Sequence, residues 1–144
     1  MSRIEQLIEE SEKDLSIDYS GNIGIAVSQQ PTIFVKWLKL LKEQSLKHRM
    51  LLLKEEKLNS DLTIYYTGKA DPEVYRTKPM NHRFLKSEVK EAIAADQDMI
   101  KLRAEIAISV ETLDTLERIV KAVKDRDWQL KNIIEWRKFS EGIA

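Results

Sequence analysis

The chain has 144 residues, 33% of them charged, with four Gly, three Pro and no Cys. Disulfides, thiolate metal sites and thiol nucleophiles are thereby excluded, and so little Gly and Pro favours helix over turn-rich β architecture. Net charge is zero but unevenly spread: residues 1–30 carry two basic and six acidic side chains, residues 36–90 thirteen and seven, and residues 91–144 nine and eleven. That asymmetry fits either a local polyanion site on a neutral protein or a solvated helix face carrying Lys for solubility.

In chain order, Ser2-Arg3-Ile4-Glu5 fits a capping box, and Ile4, Leu7, Ile8 and Leu15 share a face. The spacing predicts a short amphipathic helix over 3–14. No signal-type apolar core stands there, and no run approaches the roughly 20 apolar residues needed to span a bilayer, so a soluble intracellular protein is expected. Ser20-Gly21-Asn22 and Gly24 then signal turns, with Pro31 closing the irregular stretch.

From Thr32 a helix is predicted to run to Tyr66 without Gly or Pro, about 50 Å at ~1.5 Å per residue. Its stripe starts strongly with Ile33, Phe34, Trp37, Leu38 and Leu41, then thins to Leu46 alone. Met50, Leu51, Leu52 and Leu53 cover the helix all round before Leu58, Leu62 and Tyr65 resume one face. A helix apolar on every side at one level is buried on several sides there.

Gly68 is the natural residue to end this helix with positive φ, and Asp71-Pro72 cannot easily continue it. Pro79 and Asn81 keep the following residues irregular, so 67–82 reads as a long loop. A short helix is expected over 84–95, with Phe84, Leu85, Val89 and Ile93 inward. Asp96 and Asp98 can start the next helix at its positive end. There Met99, Leu102, Ile106, Ser109, Leu113, Leu116, Val120 and Val123 form a heptad seam, while Ile100, Ala104, Ala107 and Ile108 add a second apolar face. A separate last helix is expected after Asp127, with Trp128, Leu130, Ile133, Ile134, Trp136 and Phe139 too many for one narrow stripe. The fold class is thus all-α: a single domain over 1–144, an elongated helical bundle with one long central helix and a mid-chain loop.

Catalytic patterns do not appear. A phosphate loop needs a Gly where Thr63 stands and a hydroxyl where Ala70 stands. His48 and His82 lack metal-ligand spacing and read as a solvated helix face and a loop residue. Glu55-Glu56 and Asp96/Asp98 read as a helix surface and a helix start. No enzyme activity, cofactor or metal is expected. What remains is cationic: Lys54, Lys57, Lys69, Arg76, Lys78, Arg83 and Lys86, interleaved with Tyr65, Tyr66 and Tyr75. Single-stranded nucleic acid is held by such a combination, cations following phosphates and rings offering stacking faces. The alternative for Tyr65 and Tyr66 is that they pack the loop onto the bundle.

The run YYTGKADPEVYRTKP resembles the UvsY family of T-even-type bacteriophages, in its cyanophage-like version. The resemblance continues through LKSEV, IAADQDMIKL and QLKNIIEWRKFSEG, with an early DLSID, and is less clear over residues 19–30. It implies a recombination mediator in the host-cell cytoplasm. Such a protein binds single-stranded DNA, contacts the phage RecA-like recombinase and the phage single-strand-binding protein, and helps the first replace the second. It also implies a ring-like homo-oligomer, hexamer or heptamer, without catalysis. On this basis residues 1–95 form the DNA-binding region, with Lys54, Lys57, Tyr65, Tyr66, Lys69, Arg76, Lys78, Arg83 and Lys86 as candidates. Residues 96–144 supply oligomerisation, through Leu102, Ile106, Leu113, Leu116, Val120, Ile133 and Trp136. One departure is that Ser60 and Leu62, with acidic Asp61 between them, stand where the family's best-characterised form has basic residues before the Tyr-Tyr pair. That contact is not carried over, and any DNA contact shifts to Lys54, Lys57, Lys69 and the later loop cations. A helical adaptor binding only protein partners is the competing expectation.

Overall fold

The structure, a computed structural model, describes residues 1–142. It is all-α, with five α-helices and a short 3₁₀ turn and no strand among the described residues. They are α1 (Arg3–Leu15), α2 (Ile23–Tyr66), α3 (Pro72–Thr77), the 3₁₀ turn Lys86–Glu88, α4 (Val89–Ala95) and α5 (Gln97–Ser140). The chain divides into two compact units, Met1–Ser45 with Val110–Ala144, and Leu46–Ser109, with stretches of α2 and α5 in each. No helix among the described residues is long and apolar enough to cross a membrane.

The first unit buries Leu7, Trp37, Leu116, Ile119, Val120 and Val123, flanked by Leu15, Ile33, Phe34, Leu40 and Leu41. The capping box forms as the sequence predicts: Ser2 Oγ accepts from the Glu5 N–H, and the Glu5 carboxylate accepts from the Ser2 N–H, each at 3.2 Å. Asp14 ties α1 to α2, accepting from the Trp37 indole N–H at 2.9 Å and from Lys36 at 2.7 Å. Arg137 donates to the carbonyls of Tyr19 and Gly21, fastening the α1–α2 connection to α5.

The two long helices each differ from expectation at one boundary. Helix α2 starts at Ile23, and Pro31 lies inside it. A proline there forfeits a backbone donor and crowds the preceding turn, which ordinarily costs about 3 kcal/mol. Tertiary contacts hold the turn. Gln30 donates to the Val123 carbonyl at 2.6 Å and accepts from the buried Arg126 guanidinium at 2.7 Å. Arg126 also reaches the Ala26 carbonyl at 3.3 Å. The second difference is that α5 is one helix of 44 residues. Neither Gly nor Pro occurs between Gln97 and Ser140, so nothing breaks it, and Asp127 lies mid-helix paired with Lys131 at 3.4 Å.

The second unit buries Leu62, Val89, Ile93 and Met99, with Leu58, Tyr66 and Phe84 against them. His48 is half-buried, its Nδ1 2.9 Å from Ser109 Oγ, so it does not sit on a solvated face. Gly68 ends α2 at φ 76°. The Gly68 and Lys69 N–H groups return to the carbonyls of Tyr65 and Ile64, a Schellman closure. The expected loop holds α3, where Pro72 at the first turn brings a pre-set φ and no lost hydrogen bond. The expected helix over 84–95 begins later: Leu85 is extended and exposed, and the α-helix starts at Val89.

Candidate nucleic-acid interface

Successive helical residues point about 100° apart, so Tyr65 and Tyr66 leave the end of α2 in different directions. Tyr65 is only 6% exposed. It stacks on Tyr75 at 5.2 Å between centroids, and its hydroxyl donates to the Lys78 carbonyl at 2.9 Å. The Tyr75 hydroxyl donates to the Tyr65 carbonyl at 2.6 Å and accepts from the Ala70 N–H at 3.2 Å. The Tyr66 ring lies edge-to-face with Tyr65 at 4.9 Å and with Phe84 at 5.3 Å. His82 stands edge-on to Phe84 at 4.8 Å. Of the two roles open to Tyr65 and Tyr66, packing is the one their contacts fill.

Asp96 organises the rest. Its side chain is 2% exposed and every oxygen is used. Oδ2 accepts from the Tyr66 hydroxyl at 2.7 Å and from Lys78 Nζ at 3.1 Å. Oδ1 accepts from the Asp98 N–H at 2.9 Å and, longer, from the Met99 N–H at 3.4 Å, capping α5. Burial pushes this carboxyl pKa upward, but the Tyr66 hydroxyl, the Lys78 ammonium and the Asp98 N–H outweigh it and hold the group below the usual aspartate range. Tyr66 is shifted the other way, well above the usual phenol value, first by burial and then by donating to Asp96. It therefore stays a donor at any working pH.

The predicted cations separate into two classes. Lys57 pairs with Asp61 at 3.1 Å and Lys78 with Asp96. Lys54, Lys69, Arg76, Arg83 and Lys86 are exposed and have no carboxylate partner among the described residues. From Tyr75 to Lys90 the chain carries five cations against the single acid Glu88, whose carboxylate is occupied by the Leu85 N–H at 2.8 Å. This segment is therefore electropositive and held on an aromatic base, a surface suited to a phosphate chain. Asp96, Phe84 and His82 were not among the residues that sequence marked as part of the site. The helix-start position of Asp96, the inward side of Phe84 and the loop position of His82 were legible, but not their meeting with the tyrosines.

The expected assembly residues also separate. Leu116 and Val120 lie in the core of the first unit, out of reach of a second copy unless that core opens. Leu102, Ile106, Leu113 and Ile133 are half-buried. Trp136 is 67% exposed, and Trp128 and Phe139 on the same helix are also exposed. In the other unit the second apolar face of α5 stands open at Ile100 and Ile108.

Comparison with known proteins fits this geometry. Residues 10–143 match the family described as recombination, repair and ssDNA binding protein UvsY. The recombination protein uvsY of Enterobacteria phage T4 is 31% identical over 143 residues, covering 97% of this chain and 98% of that protein. A crystal structure of the bacteriophage T4 recombination mediator protein UvsY, lattice type II, is similar with TM-score 0.84 and 25% identity over 98% of this chain and 99% of that one. The lattice type I structure of the same protein is similar with TM-score 0.81 and 24% identity over 94% and 98%.

Proposed function

We propose a working mode that proceeds from one premise: this chain belongs to the UvsY family of recombination, repair and single-stranded-DNA-binding proteins. It is a recombination mediator, and the protein-only adaptor is not favoured. The strand's phosphates run along Lys69, Arg76, Arg83 and Lys86, with Lys54 and Lys57 of α2 adding to the field. Tyr65 and Tyr66 serve by holding that segment in place. The observation that carries this mode is the set of exposed cations between Lys69 and Lys86 without carboxylate partners among the described residues, mounted on a buried Tyr–Asp96 base.

Each such site is weak, so several copies act together. They assemble as a hexamer or heptamer through apolar surface left open after the chain's own core is filled. Trp136 with Trp128 and Phe139, and Ile100 with Ile108, supply that surface. Clustering raises the effective concentration of each cationic segment for the next stretch of DNA. A strand drawn across several copies is deformed, which loosens the phage single-strand-binding protein and exposes DNA for the RecA-like recombinase to nucleate on. This is steering and scaffolding in the host-cell cytoplasm, with no bond made or broken and no cofactor.

Titration of a labelled oligonucleotide at increasing salt tests this mode. Affinity should fall steeply, with a log–log slope of about −0.7 for each phosphate neutralised. A flat salt dependence, or no binding near ~50 mM salt, would return the adaptor.

A further inference from the structure

We infer that Lys78 and Asp96 are positioning residues of the DNA-binding segment: their ion pair holds the segment down, and the Lys78 ammonium does not contact phosphate. This rests on the DNA-binding mode proposed above and divides its cations by role. Sequence does not separate Lys78 from Lys69 or Arg76, since all three belong to one basic run.

Three contacts hold Lys78. Its Nζ lies 3.1 Å from Asp96 Oδ2, its carbonyl accepts from the Tyr65 hydroxyl at 2.9 Å, and its ammonium stands 5.0 Å from the Tyr65 ring centroid. The pair is open to water on the Lys78 side, 52% exposed, and closed on the Asp96 side, 2% exposed. The carboxylate is buried, and its remaining hydrogen bonds come from a neutral hydroxyl and backbone N–H groups. Losing the one cation would leave a buried charge without a counter-charge, the costly half of breaking such a pair. A phosphate approaching Lys78 competes with a carboxylate already in place, whereas one approaching Lys69 or Arg76 competes only with water and salt ions.

The geometry also shows what the pair positions. Asp96 Oδ2 receives Tyr66 from the end of α2 and Lys78 from just beyond α3, while Oδ1 caps the start of α5. One carboxylate therefore joins three parts of the second unit. Arg76 lies two residues before the fastened Lys78, and Lys69 follows directly on the Gly68 closure of α2.

Counterion release separates the roles, because only a cation that meets phosphate contributes to the salt slope. Lys69→Ala and Arg76→Ala should each make the slope shallower by about 0.7. Lys78→Met should lower affinity by the same factor at every salt concentration and leave the slope unchanged. Asp96→Asn keeps the cap and frees the ammonium, so its slope should become steeper, by up to about 0.7, and adding Lys78→Met should restore the original slope. Lys78→Met and Asp96→Asn should also speed tryptic cleavage at Arg76 and Arg83 several-fold, with helical circular dichroism retained. A slope made shallower by Lys78→Met, with Asp96→Asn neutral, would overturn the inference and return Lys78 to the phosphate contacts. If Lys69→Ala and Arg76→Ala leave the slope untouched, the DNA-binding mode itself fails, and the cleavage rates alone then decide whether the pair holds the segment.

Discussion

Asp96→Ala is the sharpest stability test of this architecture. The substitution removes an N-cap, which is worth about 1 kcal/mol. It also strips the acceptor from the Tyr66 hydroxyl, a hydrogen bond to a charged group worth about 1.5–3 kcal/mol. The Lys78 pair adds less, roughly 0.5 kcal/mol, because its ammonium is 52% exposed and screened. Together the loss is about 3–4.5 kcal/mol, a large part of the roughly 5–15 kcal/mol that holds a domain. Asp96→Asn retains an acceptor and a competent cap, so it should lose roughly half as much. Urea unfolding at one fixed protein concentration measures both, since any assembly makes apparent stability concentration-dependent. A loss under about 1 kcal/mol for Asp96→Ala would mean that the buried carboxylate does not join these elements.

Acid should erase the advantage of Asp96. Its folded pKa is lowered, so its contribution is present above the ordinary aspartate range and is lost as pH falls through the lower folded value. The stability gap between the parent protein and Asp96→Asn should hold at neutral pH and close only in stronger acid than a free aspartate requires, as read from urea midpoints across pH. In alkali the raised Tyr66 pKa acts in the opposite sense, so the gap to Tyr66→Phe should persist past the pH at which exposed tyrosines ionise. On the assembly side, Trp128→Asp with Trp136→Asp should split the oligomer in a solution mass measurement, with helical circular dichroism unchanged, and DNA affinity should fall with it. Leu116→Asp should instead unfold the first unit, because Leu116 is core.

Sequence revealed what local rules decide. The Ser2–Glu5 box, the Gly68 stop and the Asp96 start depend on residues a few positions apart, and the structure has all three. It was less legible wherever a distant partner decides. Pro31 looks like a terminator, yet Val123 and Arg126, more than 90 positions away, hold the helix through it. Asp127 offers the chemistry of a cap, but a cap needs a break behind it and no Gly or Pro supplies one. The tyrosine pair is equally fit for stacking on bases or packing in a core, and the packing partners it finds, Tyr75, Phe84 and Asp96, are not visible to local rules. The same limit applies to Leu116 and Val120, which sequence offers for assembly and the structure places in the core. A heptad seam identifies the face a helix turns inward, and this chain's own helices already occupy Leu116 and Val120. The surface proposed for a second copy lies among apolar side chains outside that seam. Ile100, Ile108, Trp128 and Phe139 meet that condition on α5, and they are large enough that leaving them in water is unfavourable. Periodicity could separate the two faces, but burial was needed to show which of them the monomer leaves open.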